Sequence, residues 1–291
     1  MSHRSGFVNI IGSPNVGKST LMNALIGEKL SITTSKAQTT RHLIHGMING
    51  DDYQIVFSDT PGVVNSAYEL HDHMMKFVQT ALQDADVILF ITDIFEQTMN
   101  HVPTLEIIQK MEVPVLLLIN KIDLKDQAIL EKQVAHWQEI IPRAEVFPIS
   151  ALHEFNLEPL VNRIKEVIPE GPAYYPKDEL TDRNTRFFVA EIIREKIFEN
   201  FDKEVPYSCE VKVEEYKEEI NLTRIRAIIY VERESQKAIL IGHKGAGLKK
   251  IGTQARKDIE KFIDQKVFLE TYIKVDKDWR KDGKKLKSFG Y

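Results

Sequence analysis

Two patterns of apolar and polar positions alternate along the first 170 residues. Short apolar runs rich in β-branched residues, bounded by polar residues or glycine, are typical of buried strands. Stretches with apolar residues three and four positions apart lie between several of them and predict amphipathic helices. The predicted strands are Phe7–Gly12, Gln54–Ser58, Val87–Thr92, Pro114–Asn120 and Glu145–Ile149, and the predicted helices are Lys18–Ile26, Thr104–Met111, Gln127–Ile140 and Leu157–Ile168.

This alternation predicts an α/β domain at residues 1–170. Strands separated by helices need crossover connections, which place them in a mostly parallel sheet with helices on both faces. His42–Asn49 and Tyr53–Ser58 are joined by Gly50-Asp51-Asp52 instead. Such a short polar connection predicts an antiparallel hairpin at one edge, so the sheet is expected to be mixed.

The alternation stops at residues 169–176, PEGPAYYP, where three prolines and a glycine cannot continue a helix. We expect a linker at 171–183 and a smaller α+β domain at 184–291. The elements predicted for that domain are a helix at Arg186–Phe201, strands at Tyr207–Tyr216, Asn221–Val231 and Ala238–Ile241, a helix ending near Ile263 and a strand at Val267–Val275.

Charge is distributed unevenly between the two ends of the chain. The formal net charge is −4, but residues 237–291 carry 15 Lys and Arg against 7 Asp and Glu. A basic end on an acidic protein favours a polyanionic partner for that end. A solvated lysine-rich face would give the same composition, so charge alone leaves both interpretations open.

Cysteine usage and hydropathy indicate the compartment. The single cysteine, Cys209, fits a reducing cytoplasm. We find no signal segment, and no apolar run reaches the ~18 residues that span a bilayer. We therefore expect a cytoplasmic protein, with peripheral contact to the cytoplasmic face of the cell membrane left open.

A phosphate-binding loop follows the first predicted strand. Residues 12–19, GSPNVGKS, match G-x-x-x-x-G-K-S between a strand and a helix. The backbone amides of such a loop surround phosphate oxygens, Lys18 supplies a charge and Ser19 supplies a hydroxyl for Mg²⁺. The predicted phosphate site is Gly12, Ser13, Pro14, Asn15, Val16, Gly17, Lys18, Ser19 and Thr20.

A second motif selects the base. Asn120-Lys121-Ile122-Asp123 follows a buried strand, and its carboxylate can accept from the ring N–H and the exocyclic amine of guanine. Adenine lacks that pair of donors, so a site built for them rejects it. Ser150-Ala151-Leu152, after the next strand, is expected to close over the base with backbone amides. GTP and GDP are therefore the predicted ligands.

Two segments between these motifs are expected to respond to the γ-phosphate. Asp59-Thr60-Pro61-Gly62 follows a strand, where a carboxylate can hold Mg²⁺ through water and the Gly62 amide can reach the phosphate. The polar stretch Thr33–Arg41 contains Thr39 and Thr40, and Thr40 is the candidate for the second Mg²⁺ hydroxyl. Asp93 is expected to be structural, and His71 and His73 are expected on a solvated helix or loop.

The basic end contains a candidate RNA site. Gly242-His243-Lys244-Gly245 is a G-x-x-G loop, whose glycines let the backbone approach a sugar–phosphate chain, as in the KH module. The tail 279–291 interleaves aromatic and cationic residues, and can either stack on bases or dock on its own domain. The predicted RNA-binding residues are Gly242, His243, Lys244, Gly245, Lys249, Lys250 and Trp279.

Together these motifs resemble the Era family of GTPases. The likeness rests on residues 12–20, 35–42, 59–62, 120–123 and 150–152, on Arg186-Phe187-Phe188 with the helix after it, and on the G-x-x-G stretch. The resemblance implies a P-loop GTPase fold with a type II KH domain. It also implies 16S ribosomal RNA near its 3′ end and the 30S subunit as partners, and a role in small-subunit assembly. No DNA partner is expected.

The residue after Gly62 changes the expected mechanism. Ras-like enzymes have a water-orienting glutamine there, but this chain has Val63, which cannot align a water molecule. We therefore expect slow unaided turnover. Asn15 is similar to a residue that coordinates K⁺ in relatives, so K⁺ can replace the missing cation, although Asn15 can equally serve only to shape the loop.

Two alternative functions remain at this point. In the first, the chain is a constitutive RNA-binding protein whose nucleotide site is only structural. In the second, it is a GTPase that serves RNA modification, although the C-terminal residues offer no candidate for a second catalytic domain.

Overall fold

The computed structural model describes residues 3–99 and 101–291, which divide into two compact units. The first unit ends at Asp182, and the second runs from Arg183 to the C-terminus and includes Tyr68–Leu70. Within the described residues, the model contains no helix that is both long and apolar enough to cross a membrane.

The first unit is an α/β domain. Its elements are β1 (Arg4–Ile11), α1 (Lys18–Ile26), β2 (Ile44–Asn49), β3 (Tyr53–Asp59), α2 (Glu69–Gln83), β4 (Val87–Asp93), α3 (Val102–Lys110), β5 (Val115–Asn120), α4 (Gln127–Ile140), β6 (Glu145–Pro148) and α5 (Leu157–Val167). In the described part of the chain the six strands of this unit form one sheet, in the order β2-β3-β1-β4-β5-β6. Only β2 is antiparallel to its neighbour there, which confirms the predicted mixed sheet and edge hairpin.

The centre of this sheet is covered on both faces, as its apolar sequence requires. The run Val87–Ile91 in β4 is almost completely buried, and Trp137 of α4 packs on Phe90 with ring centroids 5.3 Å apart. Because β1, β3, β4, β5 and β6 are parallel, their carboxyl ends lie at one edge of the sheet, where ligands bind in such folds. The segments beginning at Gly12, Asp59, Asn120 and Ile149 all start from this edge.

The expected linker lies along the first unit. The side chain of Gln54 accepts from the backbone amides of Tyr174 and Tyr175 and donates to the Tyr175 carbonyl at 2.9 Å. The backbone amide of Met47 donates to the carbonyl of Leu180 at 2.9 Å. These contacts hold Tyr174, Tyr175 and Leu180 of the segment against β2 and β3.

The second unit is an α+β domain. Its elements are α6 (Thr185–Asn200), β7 (Glu210–Glu219), β8 (Leu222–Val231), α7 (Glu234–Ile241), α8 (Ala246–Ile263), β9 (Val267–Val275) and α9 (Gly283–Ser288). In the order β7-β8-β9, β7 and β8 are antiparallel whereas β8 and β9 are parallel. The apolar core lies between this sheet and the helices α6 and α8.

One predicted element is wrong. Residues Ala238–Ile241 were expected to form a strand, but they are the second half of α7. The helix begins after Arg233, and the side chain of Gln236 accepts from the backbone amides of Glu232 and Arg233, which caps the first turn. A four-residue apolar run does not distinguish a strand from a buried helical turn.

Candidate GTP and RNA sites

The phosphate loop joins β1 to α1 in a conformation that requires its glycines. Gly17 has φ of 108°, and a Cβ there would lie 2.2 Å from the side-chain nitrogen of Asn120. A Cβ on Gly12 would lie 2.2 Å from the carbonyl oxygen of Ile91. Side chains at either position would therefore strain the backbone or collide with neighbouring strands.

Lys18 is buried beneath this loop. Its ammonium donates to the carbonyls of Gly12 at 3.0 Å and Ser13 at 2.7 Å. Burial lowers the pKa of Lys18 to about 8, opposed by the negative charges of Asp59 and Glu96. The geometry places a cation at the start of α1, where the helix dipole also favours an anion.

Three predicted metal-binding residues come together beside Lys18. The hydroxyl of Ser19 lies 2.7 Å from Oδ2 of Asp59 and 2.7 Å from the hydroxyl of Thr40. Burial raises the pKa of Asp59, opposed first by the hydrogen bond from the Ser19 hydroxyl and also by the charge of Lys18. The other oxygen of Asp59, Oδ1, is buried with no hydrogen-bond partner among the described residues. A buried, unpaired oxygen beside two hydroxyls is a donor set that fits Mg²⁺.

The remaining residues of the two γ-phosphate segments shape the backbone. Thr39 bonds within its own loop, to the Thr34 hydroxyl and the Lys36 carbonyl. Thr60 donates to the Ile10 carbonyl at 2.7 Å. Gly62 follows Pro61 and lies so close to the phosphate loop that a Cβ would be 2.9 Å from Pro14. Val63, only 3% exposed, points into the apolar core.

The predicted guanine site combines two neighbouring loops. Asp123 accepts from the hydroxyl of Ser150 at 2.6 Å, which fixes one of its oxygens. Asn120 donates to the Val16 carbonyl at 2.8 Å and accepts from the Ala151 amide at 2.9 Å, so it connects the phosphate loop to the base loop. Leu152 is 74% exposed, and Ile122 lies in a short turn after Lys121.

Two acidic residues, one at the end of β4 and one just after it, support these loops. Asp93 pairs with Lys121 at 2.7 Å, and the same ammonium donates to the Asn15 carbonyl at 2.7 Å. Glu96, which sequence reasoning missed, accepts from Thr92 at 2.8 Å, and burial raises its pKa, opposed by a hydrogen bond from Ser13. No sequence motif marks Glu96. Its position near the loop depends on the fold of the β4–α3 segment.

The expected solvent exposure of His71 is wrong. This residue lies on α2, is 6% exposed, and contacts Gln38 of the Thr33–Arg41 segment with 3.2 Å between His71 Nε2 and Gln38 Oε1. No motif in residues 67–75 indicates that His71 is buried, because its partner Gln38 lies 33 positions away in the sequence.

The described residues contain no cluster of three or more His, Cys, Asp or Glu side chains able to hold a metal ion.

The G-x-x-G loop connects α7 to α8. Gly242 has φ of 69° and Gly245 has φ of 80°, and a Cβ on Gly242 would lie 2.9 Å from the Gly247 amide. The turn presents its basic residues to solvent and is followed by the N-terminus of α8, so a phosphate can approach the backbone. The exposed residues are His243, Lys244, Lys249 and Lys250.

Trp279 does not fit its predicted role in RNA binding. Its side chain is 0% exposed, its indole nitrogen donates to the Ser208 carbonyl at 3.0 Å, and Phe289 packs against it with ring centroids 5.5 Å apart. A fully buried ring cannot stack on a base. The tail therefore docks on its own unit through Trp279, which is the second of the two interpretations of its composition.

Comparisons with known proteins cover the whole chain. Residues 7–121 match the family model described as "50S ribosome-binding GTPase", and residues 204–280 match the KH domain. The chain is 46% identical to GTPase Era of Clostridium kluyveri over 99% of both chains, and 47% identical to that of Geotalea uraniireducens over 99% of this chain and 98% of the relative.

A solved structure also matches over both units. It is Era in complex with MgGDPNP and nucleotides 1506–1542 of 16S ribosomal RNA, with 38% identity, a TM-score of 0.95 and 99% of each chain covered. The likeness spans the phosphate loop, the base motif and the G-x-x-G loop in one alignment. The chain belongs to the Era family of GTPases.

Proposed function

We propose that this GTPase binds 16S ribosomal RNA near its 3′ end and assists assembly of the small ribosomal subunit in the cytoplasm, with GTP favouring the RNA-bound state. The observation that carries the proposal is a GTP site and an exposed basic G-x-x-G loop on one chain. The solved Era complex holds a GTP analogue and RNA from that region. The description "50S ribosome-binding GTPase" belongs to a model that matches the nucleotide domain alone, so we favour the relative that covers both domains.

Ser19, Thr40 and Asp59 would hold Mg²⁺, which neutralises charge on the β- and γ-phosphates when bound. The loop amides and Lys18 position the phosphates, while Asp123 reads guanine. Val63 supplies no group that could orient water, which supports slow unaided turnover. The buried position of Lys18 excludes water from its ammonium and strengthens its effect on the phosphate.

We further propose that K⁺ binds beside Asn15. This residue has φ of 64°, and its side-chain nitrogen donates to the Ser35 carbonyl at 3.2 Å. This hydrogen bond joins the phosphate loop to the Thr33–Arg41 segment. It places amide and carbonyl oxygens beside the phosphate loop, and hard cations are coordinated by oxygens of this kind.

GTP hydrolysis is expected to be faster in KCl than in NaCl at equal ionic strength, by on the order of 10-fold. The physical reason is that a cation of the right size stabilises charge that develops between the phosphates. Asn15→Ala should remove most of this preference, whereas Asn65→Ala, an exposed change outside the phosphate loop, should retain it. Equal rates in the two salts would overturn the K⁺ proposal.

Replacing Lys244, Lys249 and Lys250 with glutamine is expected to weaken RNA binding on the order of 10²-fold, because three phosphate contacts are lost. The slope of log affinity against log salt should also fall by about 2. Binding of RNA nucleotides 1506–1542, measured by fluorescence anisotropy at several salt concentrations, tests this.

A matched control removes the same charge toward the other end of α8. Lys257, Lys261 and Lys266 are exposed, and their replacement with glutamine should leave both affinity and salt slope close to those of the parent protein. Equal weakening by the two triple variants would show that general charge, rather than the G-x-x-G loop, binds the RNA.

A further inference from the structure

Val63 stands where Ras-like enzymes have a water-orienting glutamine, so a polar group in addition to Lys18 is needed to stabilise the transition state. Hydrolysis forms a bond from a water oxygen to the γ-phosphorus and breaks the bond from that phosphorus to the β–γ bridging oxygen. The electron pair of the broken bond stays on GDP, and the water proton ends on inorganic phosphate. Negative charge spreads over the γ-phosphoryl oxygens meanwhile. Val63 points into the core and cannot respond to this charge.

Gln38 lies where such a group is needed. Its side chain lines the same cavity of about 370 Å³ as Lys18, Ser19, Thr40 and Gly62. The other side-chain amide lining this cavity among the described residues, that of Asn15, already donates to the Ser35 carbonyl. Gln38 is therefore the amide available to a ligand in the cavity.

The contact with His71 determines which end of the Gln38 amide is available. Nδ1 of His71 accepts from the backbone amide of Ala67 at 3.3 Å, so the neutral ring carries its proton on Nε2. That Nε2–H donates to Oε1 of Gln38 at 3.2 Å. The amide oxygen is thereby occupied, and the amide nitrogen has no partner among the described residues.

The backbone at Gln38 is also unusual. Its φ is 59°, in the left-handed region that disfavours residues with a Cβ. A glycine would adopt this conformation at lower cost, but it has no side chain that could reach His71 or line the phosphate cavity. Strained backbone that presents a polar side chain to a ligand cavity is a feature of functional sites.

We propose that the side-chain amide of Gln38 is a catalytic donor to the γ-phosphoryl oxygens, and that His71 positions it. The donor is oriented before the substrate arrives, so it responds to developing charge with little reorganisation. It differs from the glutamine of Ras-like enzymes in place and in role, because it lies on the other γ-phosphate segment and offers its nitrogen.

The test compares the transition state with the ground state in the full-length protein. Gln38→Ala should lower single-turnover hydrolysis on the order of 10²-fold. Its affinity for GDP with aluminium fluoride and Mg²⁺ should fall by a similar factor, while its affinity for a non-hydrolysable GTP analogue changes less than about 3-fold. Gln38→Glu, which keeps the shape but cannot donate, should be at least as slow. Gln79→Ala, an exposed change on α2, is the matched control.

His71→Ala should slow hydrolysis in the parent protein but not in the Gln38→Ala background, because a positioning residue acts only through its partner. Additive effects would assign His71 another role. If Gln38→Ala lost equal affinity for the aluminium fluoride complex and for the GTP analogue, the contact between Gln38 and His71 would only order the loop. If Gln38→Ala hydrolysed GTP at the parental rate, Gln38 would not be a catalytic donor. Phosphate release by the parent protein tests GTPase activity separately.

Discussion

Lys18→Ala is expected to slow GTP hydrolysis by about 10² to 10³-fold, the usual effect of removing one preorganised charge or donor from a phosphate site. Lys18 is buried between the phosphate loop and Asp59, and it donates to two loop carbonyls. The substitution leaves these carbonyls without a donor and removes the cation that faces the γ-phosphate. Phosphate release under saturating GTP measures the effect.

Two further variants separate charge from packing. Lys18→Met retains the length of the buried side chain but not its charge, so it should be as slow as Lys18→Ala. Lys132→Ala, an exposed change on α4, should hydrolyse GTP at the parental rate. If Lys18→Ala retained parental turnover, the site would be structural, and the chain would be a constitutive RNA-binding protein.

Asp123→Asn is expected to lower GTP affinity on the order of 10³-fold. The carboxylate offers two acceptors to the two guanine donors, whereas an asparagine offers one acceptor and places a donor opposite the exocyclic amine. Ser150 can still donate to the amide oxygen at this position, so the loop should keep its shape. Titration with a fluorescent GDP analogue measures the change.

The same variant should gain relative affinity for xanthosine triphosphate, whose carbonyl replaces the guanine amine and can accept from the new amide. Asp84→Asn, an exposed change immediately after α2, should bind GTP like the parent protein. Parental GTP affinity in Asp123→Asn would contradict the assignment of the base site.

The sheet and the nucleotide motifs were predictable because their signals are local. The strand before Gly12, the glycines of the phosphate loop and the polar residues ending β3 and β5 each determine structure within a few positions. Parallel strands then bring those ends together, which explains why Ser19 and Asp59 could be grouped before their distances were known. Thr40 joins them because it precedes the antiparallel β2, whose first residue, Ile44, pairs with Asp59. Their functional roles stay predictions until variants are measured.

The features that were missed depend on long-range packing. His71 looked solvated because the burial of α2 against Gln38 is set by the tertiary fold. Glu96 lacks any motif and approaches Ser13 only through the path of the β4–α3 segment. Trp279 lies among cationic residues in a pattern that suits both base stacking and docking. Its complete burial and its hydrogen bond to Ser208 show that it docks.

The central claim is that nucleotide state controls RNA binding. The most direct measurement is the affinity of the full-length protein for nucleotides 1506–1542 of 16S ribosomal RNA, with GDP and with a non-hydrolysable GTP analogue at equal Mg²⁺. Allosteric coupling energies in proteins predict binding at least about 5-fold tighter with the GTP analogue. Identical affinities with the two nucleotides would contradict the account.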